Sequence, residues 1–188
     1  DCSYKNKNLV GGKNSSLGEL YHLSKKLNFK IANGFAITTN VYQEFIESNN
    51  IEQIVEETIS KTDTTNIDEL NKNSEYLKNL IIKSKLHEKH IEEIRKNYNI
   101  LKEFYLEDIQ LAVRSSAIAE DLPNASFAGQ QDTYLNITSF EDLIESIIKC
   151  FASLFNSRAI SYRKTNNIKF NDVKISVGIQ KMVRSDIG

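Results

Sequence analysis

Arg114 and the long segment after it offer the clearest candidate chemistry in this sequence. Apolar residues alternate with small or polar ones over 109–113, which predicts a half-buried strand with Arg114 on its opposite face, at its end. About fifteen residues of loop then precede a second predicted strand at 134–137, and so long a connection is typical of a binding loop. Within it, small side chains over 126–131 surround Gly129, where backbone amides could approach an anion. A guanidinium beside such a loop predicts a phosphate site.

The segment Gly11–Lys13 is the second candidate phosphate contact. Its lysine is a mobile point charge, whereas Arg114 offers a rigid fork for bidentate contact with phosphate oxygens. The segment is not a Walker A loop, because that motif needs a glycine where Lys7 stands and Ser or Thr where Asn14 stands. Each cation also has a structural explanation, a turn before a helix for Lys13 and an ion pair at a strand end for Arg114.

The patterns before Arg114 predict mainly helices. We expect Asn14 or Ser15 to cap a helix over 17–27, with Lys25 and Lys26 near its negative end. Residues 35–37 indicate a short buried strand. Further helices are predicted after it, beginning with a capping box at Asn40 and Gln43 and continuing as three apolar stripes within 51–105.

Helices and a strand are predicted after the long loop as well. Ser139 precedes strongly apolar helical patterns within 143–163. Residues 173–180 alternate cleanly, which predicts a strand with one buried face and with Gly178 and Gln180 on the other. A glycine in a strand suggests that a ligand could approach the backbone there. The elements together predict an α+β fold.

Composition narrows the class of protein. A chain of 188 residues with 40% hydrophobic and 26% charged residues suits one soluble domain, either undivided or built from two small lobes. A formal net charge of -1 lacks the basic excess of a nucleic-acid binder, and no apolar run reaches membrane-spanning length. Cys2 and Cys150 form no CxxC pair, which favours a reducing, cytoplasmic setting. The chain begins without methionine, and we expect it to be a piece of a longer protein.

The histidines and acidic residues indicate neither a catalytic nor a metal site. His87 and His90 are spaced to share a helical face, but no cysteine or further histidine nearby would complete a metal site. His22 stands alone. Glu120 and Asp121 fit a solvated acidic loop better than a set of Mg²⁺ ligands. We therefore assign no catalytic residue and no metal ligand in this chain.

Several motifs occur in the order found in one enzyme family. They are VGGKNSSLGE at 10–19, NGFA at 33–36, VRSSAIAEDLPNASFAGQQDTYLNI at 113–137, FASLF and RAISYR within 151–163, and VGIQKMVRSD at 177–186. Over nearly its whole length the chain resembles the ATP-binding domain of the phosphoenolpyruvate synthase (pyruvate, water dikinase) family. That family belongs to a wider dikinase group with pyruvate phosphate dikinase and rifampin phosphotransferase.

The resemblance implies a fold and a set of ATP contacts. The fold would be the N-terminal part of an ATP-grasp-like module, with a helical region over about 40–105 and a sheet-containing lobe over about 106–188. Lys13 and Arg114 would contact the phosphates. Gly129 and Thr133 match positions where the loop covers the phosphates, and Gln180 matches a strand residue beside the nucleotide, toward its adenosine end.

The resemblance also implies a reaction that this chain would serve in part. The parent enzyme would convert ATP, pyruvate and water to AMP, phosphoenolpyruvate and phosphate through a phosphohistidine on a separate swivelling domain. Pyruvate would bind through a C-terminal domain, and the Mg²⁺ ligands would lie beyond residue 188. One alternative is a rifampin phosphotransferase-type ATP domain, which Asp132 slightly favours although the motif at 181–186 points back to the synthase. The other is a non-catalytic nucleotide-binding module. We expect no synthase activity from these 188 residues alone.

Overall fold

The computed structural model describes residues 2–106, 108–118 and 132–183. Helices and strands in these ranges confirm the α+β class. In chain order they are α1 (Lys7–Leu27), β1 (Gly34–Ile37), α2 (Thr39–Ser48), α3 (Glu52–Lys61), α4 (Ile67–Lys83), α5 (Glu88–Tyr105), β2 (Leu111–Ala117), β3 (Thr133–Ile137), α6 (Phe140–Ala152), α7 (Ser157–Thr165) and β4 (Ile175–Lys181). None of these helices combines the length and the apolar character that a membrane span requires.

The strands form one antiparallel sheet in the order β1-β4-β2-β3. The predicted strands at 35–37, 109–114, 134–137 and 173–180 all lie in it, with shifted ends. Arg114 was predicted at the end of its strand and instead lies in the middle of β2. The strand continues to Ala117 because β4 supplies backbone partners as far as Ile175.

One face of the sheet is apolar and forms the core. Leu111 and Val113 of β2 and Val177 of β4 are fully buried on it, as the alternation predicted. Helix α6 packs on this face, and α4 packs on α6. Phe151 of α6 meets Tyr42 of α2 edge to face, with ring centroids 5.2 Å apart. Burying each such side chain contributes about 1.5–3 kcal/mol to folding.

The predicted helical stripes within 51–105 are confirmed in α3, α4 and α5, although their ends differ. Leu77 and Ile81 of α4 are fully buried, whereas Ile67 is 70% exposed because it begins the helix beyond the core. Cys150 of α6 is also fully buried, as expected for a small apolar residue.

The start of α1 differs from the prediction. Neither Asn14 nor Ser15 caps the helix, because it begins at Lys7 and bends at Gly11, where φ is +74°. Ser15 lies inside the helix and donates a hydrogen bond to the carbonyl oxygen of Gly12 (2.9 Å). A Cβ at Gly11 would overlap Ser116 of β2, so both the positive φ and the close approach of the sheet require glycine.

Two other predicted helix starts had different outcomes. Asn40 is not a cap, since α2 begins at Thr39 and Asn40 lies within its first turn. Ser139 does cap α6, because its hydroxyl oxygen accepts a hydrogen bond from the backbone N–H of Asp142 (3.0 Å).

Candidate functional site

The second face of the sheet carries small and polar residues and borders a pocket beneath α1. This pocket, the α1 pocket, has a volume of about 520 Å³, in the range typical of small-molecule sites. Its walls come from α1, the segment 31–36, strand residues 178–180 and Arg114. Helix α1 contributes mainly Val10, Asn14, Leu17, Gly18 and Tyr21.

Arg114 brings a guanidinium to the α1 pocket. Its register partners are Thr133 on β3 and Gly178 on β4, and such partners share a face of an antiparallel sheet. Arg114 is exposed, and among the described residues no carboxylate lies within ion-pair distance of it. The explanation of Arg114 as half of an ion pair therefore finds no support in the part of the chain that the structure describes.

Gln180 lies two residues from Gly178 on the same face of β4 and also lines the α1 pocket. Its side chain is half-buried, and its amide nitrogen donates a hydrogen bond to the carbonyl oxygen of Ala32 (3.0 Å). Gln180 thus holds the segment 31–36 against the strand. Thr133 is exposed on β3, beside Arg114.

Two further predicted site residues are not placed in the pocket. Lys13 is exposed on α1, the helix that covers the α1 pocket, but it is not among the pocket's lining residues. Gly129 lies outside the described residues. The structure therefore brings Arg114 and Gln180 to one pocket with Thr133 alongside, and it leaves the contacts of Lys13 and Gly129 as predictions.

Sequence reasoning missed Asn14 as a member of this site. Asn14 is buried, and its amide nitrogen donates a hydrogen bond to the hydroxyl of Ser176 (3.0 Å). That hydroxyl donates in turn to the carbonyl oxygen of Ile37 (2.6 Å). The carboxamide oxygen of Asn14 fills the space that a side chain at Gly178 would need. The sequence suggested that a ligand could approach the backbone at Gly178. In the structure Asn14 packs against this glycine, which also lines the α1 pocket, so ligand approach there stays a prediction.

The signal for this contact was present but divided between distant segments. Gly178 interrupts a strand of larger residues. Asn14 follows Lys13, at the position where a Walker A loop would have Ser or Thr. Nothing local pairs the two positions, which are 164 residues apart in the chain (178 minus 14). A glycine inside a strand does indicate close approach, but only the fold identifies the approaching group.

Burial raises the pKa of two groups, one in the α1 pocket and one on β3. Burial raises the pKa of the Cys2 thiol, which lines the pocket. Burial and the neighbouring Asp132 carboxylate raise the pKa of Tyr134, whose hydroxyl donates a hydrogen bond to Asp132 (3.0 Å). Asp132 also accepts a hydrogen bond at its carbonyl oxygen from the Ser115 hydroxyl (3.2 Å). The bond from Ser115 fastens the start of β3 to β2 next to Arg114.

Two of the three histidines, His87 and His90, lie outside the α1 pocket and have structural partners. His87 caps α5 by accepting a hydrogen bond from the backbone N–H of Lys89 (3.3 Å). The buried ring of His90 lies 3.1 Å from Glu44 across α5 and α2. A hydrogen bond from Lys89 is the main cause that lowers the pKa of Glu44. His22 lines the α1 pocket.

The described ranges contain no cluster of three or more His, Cys, Asp or Glu side chains that could hold a metal ion. The acidic residues Glu120 and Asp121 lie outside those ranges. The Mg²⁺ ligands that the resemblance places beyond residue 188 stay a prediction.

Comparison with protein families gives one match over almost the whole chain. Residues 7–188 match the family described as "Pyruvate phosphate dikinase, AMP/ATP-binding domain". The match includes α1 with the glycines before Lys13, the strand of Arg114 and the strand of Gln180.

The individual relatives that the chain resembles are named phosphoenolpyruvate synthase. The chain is 45% identical to a phosphoenolpyruvate synthase of Helicobacter pylori, over 100% of this chain and 23% of the relative. It is 42% identical to the phosphoenolpyruvate synthase of Aquifex aeolicus, over 96% of this chain and 21% of the relative. It is 40% identical to the phosphoenolpyruvate synthase of Escherichia coli, over 95% of this chain and 22% of the relative. The chain thus spans less than a quarter of the length of these relatives.

Proposed function

Because this chain belongs to the pyruvate phosphate dikinase AMP/ATP-binding domain family, we propose that it binds the phosphates of ATP at the α1 pocket. One observation carries this proposal. Arg114 and Gln180, predicted as ATP contacts, line the same pocket. Arg114 supplies the bidentate fork for phosphate oxygens, and the apolar walls leave room for the adenosine end near Gln180.

The bend in α1 supports a phosphate-binding role for Lys13. Gly11 interrupts the helix, so residues 12–27 have their own helical N-terminus, with Lys13 in the first turn. A helix N-terminus and a lysine both favour an anion. In this proposal Lys13 reaches the triphosphate from α1 while Arg114 reaches it from β2.

The remaining contacts and the finer fold belong to the same proposal. Thr133 stands beside Arg114, and together with Gly129 it would cover the phosphates. The fold would be the N-terminal part of an ATP-grasp-like module, with a helical region over about 40–105 and a sheet-containing lobe over about 106–188. Holding phosphates in line and neutralising their charge is most of what phosphoryl transfer asks of a protein.

We propose phosphoenolpyruvate synthesis as the reaction of the full-length protein. ATP, pyruvate and water would give AMP, phosphoenolpyruvate and phosphate through a phosphohistidine on another domain. The relatives named phosphoenolpyruvate synthase favour pyruvate over an antibiotic as the acceptor. Mg²⁺ would neutralise phosphate charge when bound, and its ligands would come from outside the described residues.

Calorimetric titration of the full-length protein with ATP tests the nucleotide site. Arg114→Ala should weaken ATP binding by about tenfold to a hundredfold, because a hydrogen bond to a charged group is worth about 1.5–3 kcal/mol. Arg158→Ala is the matched control, since Arg158 is exposed on α7 and does not line the pocket. Equal ATP affinity in a folded Arg114→Ala variant and the parent would contradict the proposal.

A further inference from the structure

Helix α1 meets the sheet closely on both sides of Lys13, by a steric contact before it and a hydrogen bond after it. Before the lysine, Gly11 lies against Ser116 of β2, so closely that no side chain fits. After it, Asn14 donates a hydrogen bond to Ser176 of β4. These two strands carry Arg114 and Gln180, so the backbone of Lys13 is fixed relative to the strands that line the α1 pocket.

The contact made by Asn14 is specific rather than a general packing contact. Its amide nitrogen begins a chain of two hydrogen bonds that ends at the carbonyl oxygen of Ile37 and joins α1, β4 and β1. Both Asn14 and Ser176 are buried. If one of these hydrogen bonds is removed, water does not replace the lost partner, and the remaining polar group is left unsatisfied. An apolar side chain of similar size could fill the space but could not fix the helix in this register.

The fit between Asn14 and Gly178 places the carboxamide beside the candidate phosphate contact. Gly178 is the register partner of Arg114, and the Asn14 carboxamide oxygen occupies the position where a Cβ at Gly178 would lie. Asn14 also lines the α1 pocket together with Arg114. The residue after Lys13 is thus packed directly against the strand position opposite Arg114.

We propose that Asn14 is a positioning residue, which holds Lys13 and Arg114 at the spacing required by one polyphosphate. This inference rests on the proposed ATP site and assigns no chemical step to Asn14. If the carboxamide is lost, α1 can shift over the sheet and Lys13 no longer shares phosphate oxygens with Arg114. The loss of binding affinity should grow with the number of phosphates on the ligand, because only phosphates contact Lys13 and Arg114. Adenosine has no phosphate and contacts neither cation.

The test compares binding of ATP and adenosine to the full-length protein by calorimetry. Asn14→Ala should weaken ATP binding by about tenfold, the effect that corresponds to a buried hydrogen bond, and should change adenosine binding by less than about twofold. Asn8→Ala is the matched control, because Asn8 is an exposed asparagine of the same helix. It should leave both affinities unchanged.

The outcomes separate this inference from the proposed function. If the parent protein binds ATP no better than adenosine, the phosphate site itself is wrong. If the parent prefers ATP and Asn14→Ala keeps the full preference, the positioning role is overturned. A purely structural role would lower the melting temperature and reduce both affinities alike, which also overturns it. Should Asn14→Ala fail to fold, Ser176→Ala removes the same hydrogen bond, and the same ATP preference decides the question.

Discussion

The two faces of the sheet are built from the same strands and packed by different physics. On one face, side chains such as Leu111, Val113 and Val177 are fully buried against helices. On the other, α1 approaches through glycines and is held by buried hydrogen bonds such as that of Asn14 with Ser176. The period of two along β2 and β4 assigns each residue to one face or the other.

This difference separates stability from ligand binding. The apolar face removes large side chains from water and carries most of the folding free energy. The α1 face gains little from burial but sets the distances between charged groups. Damage to the first face should therefore unfold the protein, whereas damage to the second should alter binding at a smaller cost in stability.

The largest expected effect tests the apolar face. Phe151→Ala should lower the free energy of unfolding by about 3–5 kcal/mol, because the ring is fully buried and its centroid lies 5.3 Å from that of Phe45. Chemical denaturation measures this loss. Phe104→Ala is the control, since Phe104 is 63% exposed and its loss should change stability little. A Phe151→Ala loss as small as that of the control would remove the distinction between the faces.

The next effect tests the α1 face. Gly178→Ala should destabilise the protein by about 1–3 kcal/mol, because the new methyl group overlaps the Asn14 carboxamide. It should also weaken ATP binding, which no loss of core packing would explain. In the double variant with Asn14→Ala the overlap is gone. Its loss of unfolding free energy should therefore be smaller than the sum of the losses in the two single variants. Strict additivity in denaturation experiments would mean that these residues do not touch.

A smaller loss of stability is expected when the N-cap of α6, the helix packed on the apolar face, is removed. Ser139→Ala should lower the free energy of unfolding by about 1 kcal/mol, because the N–H of Asp142 loses its cap. ATP affinity should not change, since Ser139 does not line the α1 pocket. Thermal denaturation and ATP titration of the same sample measure both quantities. A selective loss of ATP affinity would show that the two faces are coupled more strongly than their contacts suggest.

The smallest effect compares one thiol from each side of the sheet. Cys150 is fully buried on α6, whereas Cys2 is partly exposed and lines the α1 pocket. Burial raises the pKa of both thiols, so alkylation should be slow at neutral pH and should accelerate as the pH rises and thiolate forms. Mass spectrometry of the native protein should show labelling at Cys2 before Cys150, and ATP should slow it a few fold. Protection of Cys150 alone by ATP would be inconsistent with the proposed site.

Much of the fold could be predicted because its signals are local. The alternation over 109–113 and 173–180 identified two neighbouring strands of the sheet, and the stripes within 51–105 identified helices. The cap at Ser139 was also correct, since its partner is three residues away. The predicted caps at Asn14 and Asn40 were wrong. An asparagine can satisfy a nearby N–H or a distant hydroxyl, and local sequence does not tell which.

For the candidate site, the sequence by itself determined which residues carry charge and which face of a strand each would occupy. Arg114 and Gln180 lie on the polar face because side chains alternate along any strand. The tertiary structure alone decided that both line one pocket and that Asn14 lies against Gly178. Strand order and the seat of a helix on a sheet depend on packing between segments far apart in the chain, and no periodicity within a segment encodes them.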